Sequence, residues 1–561
     1  MADSARAGKV PAPADFVVVG AGIIGALLAR KLALAGASVL MLEAGPYVTR
    51  GEIVARFRNS PRRSDWVSPY PPAPWAPHPV YAPVANDHLL QAGPYPYKAE
   101  YLRQYGGTTW HWAAHAWRNV PGDFRIRTLY GVGVDWPFDY DELEQYYQEA
   151  EVLMGVSGAP NTGSPRRQPF PMPPVAEPWA MRRIRERLQG VYPVVGNTTA
   201  RNSRGYDGRP ACVGNNSCQP ICPVNAQYHG GIAADAAQAA GVKVLTDANV
   251  YRLEHDASGR RIVAAHYYDP DKRSQRVTGK TFIVAANGIE SPRLLLLSAS
   301  DRFPRGLANS RDMVGRHLMD HPSTSLTFDA DEPLWLGRGP QSPSSINTMR
   351  DGDFRRAHAP YRLDFTNISR VDGTSAALIK EGIYGPEFAR RLRHSAAHEL
   401  NVKSVLEVLP HPDHRITLSD QKDALGLPRP MAHYSIDDYT RAGHQRARQD
   451  FQRIADLMGG SRLRFTGDDD FANNQHICGT LSMGTDPATS VCDGHARAHD
   501  HENLFFAGTG VLPTAGTCNS TENGVAVALR TAAHILAQQA GQPMPAPPGA
   551  GPQAPQKGGQ S

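Results

Sequence analysis

The longest apolar stretch of the chain, Phe16 to Leu42, carries Arg30 and Lys31 near its middle and is punctuated by glycines at 20, 22, 25 and 36. A membrane-crossing helix needs about 20 predominantly apolar residues without such interruptions. The stretch divides instead into a short apolar run, a glycine turn, a helical segment and a second apolar run. Val17–Val19 reads as a buried parallel strand, Ala26 to Ala35 as a helix, and Ser38 to Leu42 as the next strand, closed by Glu43. Val242 to Leu253, with Val244, Leu245, Val250 and Tyr251, predicts paired strands. Between Ser68 and Pro83, in SPYPPAPWAPHPVYAP, the prolines fix φ and remove donors, which predicts an extended, wrapping arm. Residues 541–561 are rich in Pro, Gly and Gln and predict a disordered tail. No internal repeat is present.

The turn between the first strand and helix reads Gly20-Ala21-Gly22-Ile23-Ile24-Gly25, a G-x-G-x-x-G motif with a strand on either side of the unit. Each glycine has a separate duty: Gly20 permits the tight turn, Gly22 lets backbone approach a pyrophosphate, and Gly25 allows the helix to pack on the strand. The helix N-terminus directs free N–H groups at the phosphates. Glu43, at the end of the second strand, is placed to accept hydrogen bonds from ribose hydroxyls. The motif fits NAD and FAD equally.

Composition narrows the class. The 561 residues, 41% of them apolar, suffice for two substantial domains with a buried core. A net charge of +5 with no Lys/Arg block argues against nucleic acid as a partner. Six cysteines do not make a disulfide scaffold. The first fourteen residues, MADSARAGKVPAPA, have neither an apolar core segment nor a twin-arginine pair, so no export signal is recognisable and a cytoplasmic location is the default unless something else exports the chain.

Three of the six cysteines fall within eleven residues, Cys212-x5-Cys218-x3-Cys222, with Pro223 following. Three thiolates on one loop can converge on an iron–sulfur core, which carries electrons singly. Structural zinc is the competing reading, opposed by the missing fourth ligand and the unusual spacing. A disulfide loop would leave one thiol over.

Four further segments resemble the glucose–methanol–choline (GMC) oxidoreductase family. They are Tyr105-Gly106-Gly107-Thr108-Thr109-Trp110; Ala286 to Leu296; Val314 to Pro322, which contains Asp320-His321-Pro322; and a C-terminal part running from His476-Ile477-Cys478-Gly479-Thr480 through Asn503 to Phe506 and Pro513 to Asn519. The likeness runs in order from residue 16 to about 537. It implies an α/β (α+β overall) fold, a Rossmann-like FAD-binding domain interleaved with a mixed-sheet substrate-binding domain. The FAD domain is expected over 1–60, 86–120, 200–325 and 465–540, with the cysteine loop at 205–228, and the substrate domain over 121–199 and 326–464. The resemblance further implies cofactor contacts from Gly20, Gly22, Gly25, Glu43, Gly106, Gly107, Thr108, His111, Val250, Gly508 and Thr521. His111 stands at the spacing where some family members bond flavin covalently, but Trp110 and Trp112 depart from the common loop, so non-covalent FAD with His111 as a packing residue is the expectation. Asp320-His321-Pro322 is expected to fix a domain corner.

The chemistry implied is oxidation of an alcohol carbon by hydride transfer to flavin. The hydroxyl proton must then go to a base within about 3 Å. His476 stands at the family's base position and Asn519 at its partner position, where the family places His or Asn. The cysteine run narrows the resemblance to the catalytic subunit of bacterial FAD-dependent glucose, gluconate, sorbitol and fructose dehydrogenases, with flanks Arg201 to Arg204 and Asp207 to Pro210 included. In that group three cysteines, here Cys212, Cys218 and Cys222, hold a [3Fe-4S] cluster. A small companion subunit carries the export signal, and a multihaem cytochrome c subunit takes the electrons at the membrane. The implied location is periplasmic, with membrane association only through partners. The substrate would be a sugar or polyol, read by residues 326–464, where no sugar-reading motif is visible. A simple GMC oxidase with a structural cysteine loop and a non-catalytic electron-transfer flavoprotein are the alternatives.

Overall fold

Three runs of apolar residues, Ala14–Val19, Val39–Leu42 and the end of Ser274–Val284, lie side by side as parallel strands, with Val17 opposite Leu40 on one side and Phe282 on the other. The structure, a computed structural model, describes residues 11–62, 68–79, 88–160 and 162–544. Lys243–Leu245 and Leu504–Phe506 complete the parallel part of this seven-stranded sheet. Ile262–Tyr268 and Asn249–His255 add an antiparallel extension at its other end. Strands buried on both faces need continuous apolar runs, which these have.

Helices Ile23–Leu34, Gly230–Ala239 and Ser520–Ala540 pack together against this sheet. From Val525 to Ala533 every residue of Ser520–Ala540 is buried. The first helix begins at Ile23, earlier than the apolar pattern predicted, because its N-cap is Gly22 itself and no side chain caps it.

A second, six-stranded sheet has the order Ser461–Phe465, Ser325–Asp329, Glu399–Leu406, Tyr361–Thr366, Ser344–Ile346 and Val194–Gly196, antiparallel throughout. The mixed pairing expected of this domain is confined to a small sheet of Arg415–Lys422, Pro428–His433 and Leu90–Gln91. Helix Asp438–Leu457 covers the second sheet with Phe451, Ile454 and Ala455.

Three sequence expectations change. Helix Tyr140–Met154, assigned above to the substrate domain, buries Leu143, Tyr147 and Ala150 in the first core against Ser520–Ala540. Lys243–Leu245 and Asn249–His255 do not pair with each other, because the chain turns at Asp247, φ +57°, and delivers them to opposite ends of the first sheet. The Pro-rich arm, described as far as residue 79, is not uniformly extended. Pro74 sits in a turn closed by the Ala76 N–H donating to the Ala73 carbonyl, a position that suits its fixed φ. The arm is nevertheless anchored at several points: Tyr70 Oη donates to the Pro220 carbonyl, Asn249 Nδ2 to the Trp75 carbonyl and Arg103 to the Pro77 carbonyl. The residues beyond 79 in the arm and beyond 544 in the tail lie outside the described residues. Among the described residues no helix is long and apolar enough to cross a membrane.

Candidate active site

At the glycine turn the three glycines do different things. Gly20 has φ +105°, and a Cβ there would meet the Ala285 carbonyl oxygen at 2.6 Å. A Cβ on Gly25 would lie 2.7 Å from the Gly20 oxygen, so helix and strand touch through backbone. A Cβ on Gly22 would meet nothing within 4 Å, which leaves an open cradle above the uncapped helix N-terminus. Gly106, φ +88°, donates its N–H to the Ala21 carbonyl at 3.1 Å, and a Cβ on Gly107 would come 3.1 Å from Gly22 Cα. The two glycine segments are thus laid one on the other.

A cavity of about 120 Å³ beside this turn is walled by Gly20, Gly22, Glu43, Gly107, Thr108 and Val250. The Glu43 carboxylate accepts from the Ala21 and Gly45 N–H groups at 2.9 and 3.0 Å, and burial pushes it up to about 7. Each oxygen retains a further lone pair for a ribose hydroxyl. The open cradle and this acceptor fit the dinucleotide implied above.

A larger cavity, about 400 Å³, shares Gly22, Thr108, Ala285 and Asn287 with the first and runs between the two sheets. That volume is within the range of small-molecule sites. Its wall includes His111, His476, Gly508, Asn519 and Thr521, so the structure gathers residues more than 400 positions apart.

His476 and Asn519 meet directly, with Asn519 Nδ2 2.8 Å from His476 Nε2. Their protonation follows from the chain of bonds behind them. His321 Nε2 lies 2.9 Å from the Gly516 carbonyl, an acceptor, and therefore donates. Neutral His321 then offers a lone pair at Nδ1, 2.9 Å from His476 Nδ1, which donates to it. His476 Nε2 is left as the unprotonated nitrogen facing Asn519. Arg362 donates to Asn519 Oδ1 at 3.0 Å and so holds the amide with its NH₂ group toward His476. Burial, reinforced by His321, Arg362 and Lys403, holds His476 well below the ordinary histidine value. Burial likewise takes His321 to about 4.

Asn519 is the N-cap of helix Ser520–Ala540, yet its side chain makes no capping bond. The amide is diverted to His476, and the first N–H groups of that helix face the cavity through Ser520 and Thr521. Such an end favours negative charge. Asp320 anchors the loop carrying His476, accepting N–H bonds from His321, Asn474, Gln475 and His476 at 2.7 to 3.2 Å. The Asp320-His321-Pro322 corner is therefore structural at Asp320, while His321 touches His476.

The second sheet contributes residues that sequence reading missed. Strand Tyr361–Thr366 brings Arg362 and Asp364 to the cavity, and Glu399–Leu406 brings Lys403. Arg362 pairs with both Asp364 oxygens at 2.8 and 3.0 Å and donates to the Thr517 carbonyl. Only their period-2 placement on strands could have marked them, and alternate polar residues on a strand usually face solvent.

His111 is buried, donates from Nε2 to the Glu100 carbonyl at 3.0 Å and packs against Tyr70. Cys478 and Cys518 are fully buried, and burial pushes them up to about 12 and about 11, as suits inert packing residues.

The cysteine loop abuts the same cavity. Gln219, next to Cys218, lines the wall and donates to the His111 carbonyl, and Gln227 donates to the Cys218 and Trp112 carbonyls. Helix Arg50–Asn59 supports the loop from outside, with Arg50 donating to the Cys222 and Pro223 carbonyls and Ile53 packing near Ile221. Burial raises the Cys212 thiol. Cys492 points elsewhere, donating to the Leu481 carbonyl. Cys212 is half-buried and Val213 exposed, so the loop reaches the surface.

Residues 195–323 and 410–528 match the models of the GMC oxidoreductase family. The chain is 45% identical, over 93% of its own length and 98% of the relative's, to the fructose dehydrogenase large subunit of Gluconobacter japonicus. It is 29% identical to 6'''-hydroxyparomomycin C oxidase of Streptomyces lividus over 95% of both chains. The crystal structure of pyridoxine 4-oxidase from Mesorbium loti shares the fold, with a TM-score of 0.64 at 19% identity over 92% of this chain and 98% of that one.

Proposed function

The chain belongs to the GMC oxidoreductase family and is an FAD-dependent oxidoreductase acting on CH–OH donors, and on that premise we propose that it is a dehydrogenase of a sugar or polyol that passes electrons onward one at a time. The observation that carries this reading is that the loop bearing Cys212, Cys218 and Cys222 forms part of the wall of the cavity that holds His476. The likeness to a fructose dehydrogenase large subunit supports a sugar-type substrate and companion subunits.

Bound FAD supplies a two-electron hydride acceptor. The substrate hydroxyl replaces the direct bond between Asn519 Nδ2 and His476 Nε2, accepting from the first and donating to the second. His476 receives the proton, and Asn519 steadies the oxygen as negative charge develops on it. Arg362 and His321 keep both groups turned the right way. FAD is held without a covalent bond, a reading favoured by the engagement of His111 Nε2 with Glu100.

Cys212, Cys218 and Cys222 would hold a [3Fe-4S] cluster, which would supply one-electron redox chemistry. The exposure of the loop at Cys212 and Val213 would suit an external acceptor such as a multihaem cytochrome c subunit. The protein works in the periplasm, exported with a small companion subunit.

The test is iron analysis and anaerobic EPR on purified protein before and after addition of D-fructose, D-glucose or D-sorbitol. A near-isotropic [3Fe-4S]⁺ signal that disappears on addition is the expected result. Iron-free, anaerobically prepared protein with a normal flavin spectrum and oxygen uptake on turnover overturns the relay.

A further inference from the structure

Lys403 lines the substrate cavity and, among the described residues, forms no ion pair. It lies in the middle of strand Glu399–Leu406, directly opposite Asp364 in the antiparallel register, where a cross-strand ion pair would be expected. That pair is not made. Both Asp364 oxygens are taken by Arg362, and among the described residues Lys403 forms no ion pair. Its ammonium has a single hydrogen-bond partner, Asn474 Oδ1 at 2.9 Å, out of a capacity of three.

The Asp364 and Asp320 carboxylates act on Lys403 from a distance, and neither bonds its ammonium. Asp320 turns its carboxylate to four backbone N–H groups. His115, His321 and His476 are all held neutral by burial. The remaining polar wall, Gln341, Ser342, Thr366, Asn473 and Gln475, offers amides and hydroxyls, which suit a polyol and carry no charge. Burial lowers Lys403, Arg362 adds to this, and Asp364 and Asp320 partly oppose it. Its charge also bears on the His476 ring, so it stands close to the reacting hydroxyl.

Resting on the sugar or polyol reading above, we propose that Lys403 anchors a carboxylate on the substrate, so that the preferred substrate is an aldonic acid rather than a neutral sugar. A carboxylate accepts the two remaining Lys403 donors in a secluded site, where charge-assisted bonds are strong. A phosphate ester is the other anionic sugar chemistry. It ordinarily draws on Arg forks or helix N-termini, whereas the one cavity arginine, Arg362, is already occupied and Lys403 presents a point charge. The reaction stays a two-electron oxidation: the hydroxyl proton leaves to His476, the carbon-bound hydrogen leaves as hydride to FAD, and the acid becomes a keto acid.

The test is anaerobic stopped-flow bleaching of the FAD-loaded protein by D-gluconate, D-glucose, D-sorbitol and D-glucose 6-phosphate, in the wild type, Lys403→Met and Lys403→Arg. The expected result is a preference for D-gluconate of about 10- to 100-fold in kcat/KM over the neutral compounds, the worth of one charged hydrogen-bonded contact. Lys403→Met should collapse that ratio mainly through KM, and Lys403→Arg should restore part of it. Equal or faster bleaching by the neutral compounds overturns the proposal and leaves the dehydrogenase reading standing. Preference for the phosphate ester overturns the carboxylate assignment. A Lys403→Met variant that loses all substrates alike assigns the residue to packing and overturns it too. Bleaching by D-fructose alone overturns the proposal and leaves the dehydrogenase reading standing, and bleaching by none of the four nor by D-fructose removes both readings.

Discussion

The rings of His476 and His321 meet Nδ1 to Nδ1 at 2.9 Å, and the Gly516 carbonyl behind His321 decides which of the two donates. Two neutral imidazoles can share such a contact only if one is protonated there and the other is not. The Gly516 bond places the His321 proton on Nε2, so His476 carries its proton on Nδ1 and presents a basic Nε2 to the cavity. The arrangement does for this base what an orienting partner does for any catalytic histidine: it selects the tautomer before substrate arrives.

Replacing His321 by Phe removes the acceptor without opening a cavity. Flavin reduction should slow by about 10- to 100-fold as the His476 tautomer and orientation are lost. FAD content and substrate affinity should stay near wild type. His321→Asn, which restores a carbonyl acceptor, should recover part of the rate. Stopped-flow reduction with a binding titration checks both, and an unchanged rate in His321→Phe would remove His321 from the mechanism.

His476→Ala should lower the flavin reduction rate by about 10²- to 10⁴-fold, the usual contribution of a general base, while FAD remains bound through the separate cradle at Gly20 to Gly25. The flavin absorbance spectrum and anaerobic reduction by substrate decide the matter. Near-normal reduction would mean that the proton goes elsewhere.

The pH profile follows from burial. Flavin reduction needs unprotonated Nε2, and the folded site holds His476 well below its ordinary value of about 6.5. Protonation, and with it loss of rate, therefore sets in only well below that value. The rate of flavin reduction should stay flat as pH falls from 7.5 through 6.5, with the acid limb displaced downward. A limb centred near 6.5 in single-turnover reduction would show a base that water reaches freely.

Cys218→Ser should lower iron content and abolish the cluster signal, since three local thiolates leave no spare ligand. Reduction of flavin by substrate should persist, because His476 and Asn519 are held by bonds that do not involve the cysteine loop. Delivery to a cytochrome c or an electrode should drop sharply. Wild-type delivery by iron-depleted protein would separate the loop from the electron path.

The sequence by itself determined those features whose physics is local. The Gly20 turn and the Gly25 contact of helix on strand are in the structure as the motif predicted, and Gly22 leaves its face open. The crowding of Cys212, Cys218 and Cys222 is a property of one loop. The pairing of His476 with Asn519 was reachable only through resemblance, since nothing in either segment points to the other. Tertiary structure decided the rest. Helix Tyr140–Met154 joined the first core because its apolar stripe found Ser520–Ala540 there, a partner that periodicity does not name. Arg362, Asp364 and Lys403 occupy alternate strand positions that read as solvent-facing, and they became cavity residues only when the second sheet closed over the first. His321 acquired its role the same way, from a loop 155 residues distant. A hydrogen bond selects a tautomer only after the chain has brought the groups within about 3 Å. Composition and spacing carry no such distance.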